Sequence, residues 1–70
     1  MAEQRLWRLR KRHQSVDAEL HPVEEGDVEV RFLLNGQLSY ARRCTSRELA
    51  LLEAANKRAE LEREGWLFHW

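Results

Sequence analysis

The sequence predicts an α+β fold: a four-stranded antiparallel meander followed by one C-terminal helix that packs on the apolar face of the sheet (ββββα). Two observations support this prediction. Turn signals separate alternating apolar and polar runs over the first 44 residues, and one helical pattern with its own start and stop signals follows them. Seventy residues suffice for one domain, so we expect a single domain over residues 1–70.

The clearest turn signal is Asn35-Gly36, which lies between two alternating runs. Asparagine and glycine tolerate the positive φ angles of a two-residue type I′ turn, so the pair predicts a hairpin of strands 27–34 and 37–44. The predicted register pairs Leu33 with Leu38, Phe32 with Ser39, Arg31 with Tyr40, Val30 with Ala41 and Glu29 with Arg42.

A second turn signal, Glu24-Glu25-Gly26, extends the meander towards the N-terminus. It suits a three-residue hairpin loop with glycine in the left-handed position, and it predicts strand 16–23. The predicted register pairs Val16 with Leu34, Ala18 with Phe32, Glu19 with Arg31, Leu20 with Val30 and His21 with Glu29.

A third and weaker turn near Gln14-Ser15 predicts strand 5–13. All three turns place the same side chains inside, and a one-residue slip would disrupt that agreement. A basic helix is the alternative for residues 5–13, because Leu6, Leu9 and His13 also fit helical spacing. As a strand, its predicted register pairs Leu9 with Leu20, Trp7 with Pro22, Arg8 with His21, Arg10 with Glu19 and Arg12 with Asp17.

The helix is predicted over residues 46–64. Thr45 and Glu48 match a capping box at its start, and Gly65 suits the left-handed residue that ends many helices. The predicted buried face consists of Leu51, Leu52, Ala55 and Ala59, flanked by Ala54. The predicted core consists of Trp7, Leu9, Val16, Ala18, Leu20, Val30, Phe32, Ala41, Leu51, Leu52, Ala55 and Trp66.

The outer face of the predicted sheet is rich in arginine. Its usual interpretation is a solvated face with cross-strand ion pairs. The alternative is a platform for single-stranded nucleic acid, because a tyrosine ring and arginine planes can stack on bases. The candidate residues of this nucleic-acid or partner face are Arg8, Arg10, Arg12, Arg31, Tyr40 and Arg42.

An apolar tail, residues 65–70, follows the helix and contains four large apolar side chains. Such a segment needs cover from its own domain, a second copy or another partner. A small apolar corner on the outer sheet face is a further candidate contact. The candidate residues for self-association are Trp66, Leu67, Phe68, Trp70, Leu33 and Leu38.

Composition narrows the function classes. Twelve basic and twelve acidic side chains cancel, so net charge favours no partner. The single cysteine fits a reducing compartment, and without a secretory signal we expect a cytoplasmic protein. The three histidines lack metal-ligand spacing, and no nucleophile has a base at a recognisable position. We expect no metal, no cofactor, no small-molecule substrate and no enzymatic activity. No apolar run reaches the ~20 residues of a membrane span.

The sequence therefore predicts a small interaction module, a homodimer assembled through the apolar tail and the sheet face. The alternative is a weak binder of single-stranded nucleic acid. The order of elements resembles that of Whirly and Pur-alpha-type single-strand binders, in topology alone.

Overall fold

The computed structural model describes residues 3–68 and shows a five-stranded antiparallel sheet with one α-helix. The predicted four-stranded meander and C-terminal helix are confirmed, and a short fifth strand is added within the tail. The spatial order of the strands is β4-β3-β2-β1-β5. The elements are β1 (Gln4–Lys11), β2 (Gln14–Pro22), a 3₁₀ turn (Glu24–Gly26), β3 (Val28–Leu34), β4 (Gln37–Cys44), α1 (Arg47–Arg63) and β5 (Leu67–Phe68).

The pairing of β2 with β3 follows the predicted register, from Val16 opposite Leu34 to His21 opposite Glu29. The hairpin turn is also as predicted. Asn35 and Gly36 have φ angles of 53° and 84°, as a type I′ turn requires. Hydrogen bonds between Asn35 and the Ser15 backbone fix this turn to β2.

The predicted register of β4 is wrong beyond the turn. Leu33 lies opposite Leu38, but Phe32 lies opposite Tyr40, which makes Ser39 the extra residue of a β-bulge. Every later side chain of β4 therefore points to the opposite face from the one predicted. The bulge turns the ring of Tyr40 and the thiol of Cys44 towards the helix, where the predicted register would place Ser39 and Ala41.

A strand, β1 (Gln4–Lys11), is confirmed over most of the predicted segment 5–13, but the last two residues of that segment form a turn and the predicted register is wrong. The turn lies at Arg12-His13, with Arg12 at a φ of 58°. The register pairs Leu9 with Val16, Arg8 with Asp17 and Trp7 with Ala18, followed by an irregularity at Leu6. From Trp7 to Lys11 the register moves by an even number of residues, so the predicted inner and outer faces are preserved there. The irregularity at Leu6 reverses the predicted facing of Gln4 and Arg5.

The helix starts and ends close to the predicted bounds, with a different N-cap. The Ser46 hydroxyl accepts a hydrogen bond from the Leu49 backbone N–H at 3.2 Å, so Ser46 takes the capping role predicted for Thr45. At the other end Gly65 has a φ of 98°, and the Trp66 N–H donates to the Leu61 carbonyl. This is the predicted Schellman ending.

The predicted buried face of α1 is wrong. Ala50, Ala54 and Leu61 face the sheet, while Leu51, Leu52 and Ala55 are exposed. Ala41 is also outside the core, since the β4 bulge turns it outward. The observed core consists of Trp7, Leu9, Val16, Ala18, Leu20, Val30, Phe32, Cys44, Ala50, Ala54, Leu61 and Trp66.

Candidate interaction surfaces

An ion pair with two hydrogen bonds on the outer sheet face joins Arg8 of β1 to Asp17 of β2. The Arg8 Nε and Nη2 atoms donate to the two Asp17 carboxylate oxygens at 2.6 and 2.8 Å. Asp17 is only 7% exposed, although it lies on the outer face. These hydrogen bonds and the adjacent negative charge raise the pKa of Arg8 above its ordinary value. Arg8 therefore acts as a fixed partner of a buried carboxylate.

The other charges of the outer face are largely paired as well. Glu29 bonds to Arg31 on the same strand, and Arg43 bonds to Asp27 at 2.7 Å. The His21 ring lies between two carboxylates, those of Glu19 and Glu3. The solvated, ion-paired interpretation of this face thus describes its geometry, with several partners that the sequence assigned differently.

The structure does not bring the six candidate nucleic-acid residues together. Tyr40 and Arg42 lie on the helix side, where the Tyr40 ring stacks on Phe32 and Arg42 Nη1 contacts Glu53 Oε1 at 3.1 Å. Arg12 lies in the β1–β2 turn and Arg10 in β1, both exposed. Neither makes an ion pair within residues 3–68. Four arginines remain on or beside the predicted face, and two of these, Arg8 and Arg31, are paired with carboxylates.

The six candidate self-association residues are also dispersed. Trp66 is buried in the core of its own chain, and Trp70 lies outside the described residues. Leu38 pairs with Leu33 at the β4 edge, whereas Leu67 pairs with Arg10 at the opposite edge of the sheet. Phe68 pairs with Leu9 on the helix side, and the Arg58 guanidinium lies 4.7 Å from its ring centroid. The outer face therefore offers two separate small apolar spots.

The helix side carries an apolar groove that the sequence did not reveal. It lies between α1 and the strands β3 and β4 and has a volume of about 470 Å³. Phe32, Leu34 and Leu61 contribute apolar surface, and Tyr40 and Asn56 also line it. A second depression continues along the same side and includes Leu49, Leu52 and again Asn56. The register prediction hid this groove because it placed Tyr40 on the other face.

A second unpredicted feature is a row of exposed side chains on the side of α1 that faces away from Ala50 and Ala54. We call it the α1 stripe. Its members follow one another at intervals of three and four residues, so they share one helix face. All are exposed, and Leu52 retains 57% of its accessible surface. The α1 stripe consists of Leu49, Leu52, Asn56, Ala59 and Arg63.

Among residues 3–68, no three or more His, Cys, Asp or Glu side chains cluster in a way that would hold a metal ion. In the same part of the chain, no helix combines the length and the hydropathy needed to cross a bilayer.

No protein-family model, curated protein or solved structure matches this chain.

Proposed function

We propose that this chain is a non-enzymatic interaction module that works as a homodimer. The observation that carries this proposal is the amount of large apolar surface exposed in residues 3–68. Monomeric proteins rarely leave extended apolar patches in water, and such patches usually mark contact sites. The exposed large side chains are Leu34, Leu38, Tyr40, Leu49, Leu51, Leu52, Leu67 and Phe68.

The distribution of these side chains favours the helix side as the contact. Leu34 and Tyr40 line the groove between α1 and β4, and Leu49 and Leu52 line the depression next to it. By contrast, the outer sheet face combines its ion pairs with two apolar spots at opposite edges. The ion-paired charges of that face need no partner, whereas the exposed leucines of the helix side do.

The size of the chain supports the same proposal. A domain of 70 residues buries a smaller fraction of its apolar surface than a larger domain can, and its stability is correspondingly marginal. With a single cysteine it has no intramolecular disulfide to compensate. A second copy that covers the exposed leucines would add buried apolar area to both chains.

Sedimentation equilibrium of the full chain from low to high micromolar concentration tests the proposal. We expect the average mass to rise from the 8.4 kDa of one chain towards twice that value. The rise should persist at high salt, because apolar burial is not screened by ions. A mass that stays at 8.4 kDa over the whole range would contradict self-association.

A further inference from the structure

The α1 stripe has the spacing of a helix–helix contact. Its intervals of three, four, three and four residues are those of the a and d positions of a heptad. Two leucines occupy its N-terminal half, Asn56 its centre, and Ala59 and Arg63 its C-terminal half. The face opposite the stripe is already used, because Ala50, Ala54 and Leu61 pack on the sheet. The stripe side is therefore available for an additional contact of α1.

The charged side chains at the two ends of the α1 stripe differ from most other charged side chains of α1, because they are in no ion pair within residues 3–68. Most charged side chains of the helix have a partner within the chain: Arg47 bonds to Gln4, Glu53 to Arg42, Lys57 to Glu60 and Arg58 to Glu62. Glu48 and Arg63 have no ion-pair partner among the described residues. Glu48 adjoins the first member of the stripe, and Arg63 is its last member.

We infer that a second copy of this chain packs antiparallel against the α1 stripe, with Asn56 beside the two-fold axis. This inference rests on the proposed function and specifies its contact. Leu49 lies seven residues before Asn56 and Arg63 seven residues after it, so an antiparallel partner brings Arg63 of each chain to Leu49 and Glu48 of the other. The arginine stem then covers the leucine, and its guanidinium meets the carboxylate.

The chemistry of the stripe selects this partner and this direction. An asparagine amide both donates and accepts hydrogen bonds, so Asn56 can pair with an identical residue across a two-fold axis. A parallel partner would place Arg63 against Arg63 and Glu48 against Glu48, which is repulsive at both ends. Antiparallel packing converts both repulsive contacts into opposite-charge contacts, and the symmetry makes two of them.

The area of the stripe sets the strength of the dimer. From Leu49 to Arg63 the stripe is about 21 Å long, given the helical rise per residue. A standard stable interface buries about 800 Å² per partner, which would be about one sixth of the 5081 Å² accessible on this chain. A single helix face of this length is smaller than that standard. We therefore expect a reversible dimer with a dissociation constant in the micromolar range.

Charge exchange in the full chain tests the direction of packing. Glu48→Arg or Arg63→Glu alone should raise the dimer dissociation constant about tenfold, since two opposite-charge contacts become repulsive. The double variant should restore the wild-type constant, because each end again meets its opposite. Glu25→Arg and Arg10→Glu make the same charge changes on exposed residues away from α1, and they should leave the constant unchanged. Circular dichroism confirms that each variant is folded.

A cysteine at the axis provides a second measurement that does not depend on charge. Under oxidised glutathione, Asn56→Cys should give a disulfide-linked dimer on a non-reducing gel. The wild type, whose only cysteine is the buried Cys44, is the first control. Leu51→Cys is the matched control, because Leu51 is exposed on the same helix but lies outside the stripe. We expect much slower cross-linking from both controls.

The outcomes separate this inference from the proposed function. A concentration-dependent dimer that ignores the charge variants, or that cross-links through residue 51 as fast as through residue 56, would overturn the α1 contact and leave self-association standing. A chain that remains monomeric at every concentration would overturn both. Weaker dimerisation in the single charge variants, with the wild-type dissociation constant restored in the double variant, supports both the α1 contact and self-association.

Discussion

At the scale of single residues, the buried carboxylate of Asp17 is the group on the sheet that most needs compensating hydrogen bonds. Removing a carboxylate from water is costly unless its oxygens receive strong hydrogen bonds. Arg8 supplies two of them from one planar group, at 2.6 and 2.8 Å. A lysine would supply the same charge without the matching two-pronged geometry. The shape of the guanidinium is thus as important here as its charge.

We expect Arg8→Lys to lower the free energy of unfolding by about 1 kcal/mol and Arg8→Ala by about 2 kcal/mol, since the second change leaves Asp17 buried without this partner. Urea denaturation at one protein concentration measures both. Arg10→Ala is the control on the same strand, and it should change the value by less than about 0.5 kcal/mol. Equal effects of Arg8→Ala and Arg10→Ala would show that the pair contributes no stability.

The partner of Arg8 also shows what the sequence can specify at this scale. It identifies Arg8 and Asp17 as outward-facing residues of neighbouring strands, and both are. The sequence does not identify them as a pair, because arginine recurs at every second position from Arg8 to Arg12 and acidic residues occupy successive outward positions of β2. Registers that differ by two residues on each strand then give equally plausible charge matches, and the predicted one assigns Asp17 to Arg12. Turn geometry decides between them.

At the scale of elements, the sequence predicts all four long strands, the helix, the inner face of β2 and β3, and that of β1 from Trp7 onwards. The errors arise where one local feature changes every later position. The bulge at Ser39 moves each later side chain of β4 to the opposite face of the sheet. No residue near Ser39 indicates a bulge in the sequence. Tyr40 and Arg42 consequently lie on the helix side and not on the outer face predicted for them, and Tyr40 lines the groove there.

The predicted buried face of α1 is wrong for a different reason. It carries apolar residues around most of its circumference, including leucines at 49, 51, 52 and 61 and alanines between them. Hydrophobicity alone favours the leucine-rich side as the buried one. The sheet already presents bulky Trp7 and Phe32 in the core, so the helix approaches with small Ala50 and Ala54. Three leucines of α1 are left exposed, and two of them, Leu49 and Leu52, belong to the α1 stripe.

The β1–β2 turn gives a prediction about element stability. Arg12 adopts a φ of 58°, in the left-handed region that glycine enters without steric penalty. We expect Arg12→Gly to raise the free energy of unfolding by about 0.5–1 kcal/mol, and hence to raise Tm by a few degrees. Thermal denaturation followed by circular dichroism measures this shift.

The matched control is Arg10→Gly, two residues earlier and within β1. There the backbone is extended, and glycine loses conformational entropy without relieving strain, so Tm should fall. A rise in both variants, or a fall in both, would mean that the conformation of Arg12 has no bearing on the stability of the turn.

At the scale of the whole molecule, the sheet edges and faces differ in what they offer a partner. The β4 edge is long but is interrupted by the Ser39 bulge and carries Arg42 and Arg43, features that discourage edge-to-edge pairing. Most charges of the outer face are paired with one another. The remaining large surface is the helix side, which combines the groove with the α1 stripe. The fold as a whole therefore directs association towards α1.

The outer face leads to the last prediction, which concerns nucleic acid. Affinity for single strands depends on releasing counterions from phosphates with free cationic groups. Here Arg8 and Arg31 are held by Asp17 and Glu29, and phosphate binding would have to break those bonds. We expect no saturable binding of a labelled single-stranded oligonucleotide in fluorescence-anisotropy titrations at low salt and micromolar protein concentration.

Neutralising the carboxylates provides a second test, in which binding of single-stranded nucleic acid should be gained. The variant Asp17→Asn with Glu29→Gln removes two negative charges next to two arginines and keeps side chains of similar shape. It should acquire measurable binding that weakens as salt is added, because the same arginines become available to phosphates. Glu60→Gln with Glu62→Gln is the control, since it makes the same change in net charge on the helix. Tight, salt-sensitive binding by the unaltered chain would mean that Arg10, Arg12 and the paired arginines already act together on nucleic acid.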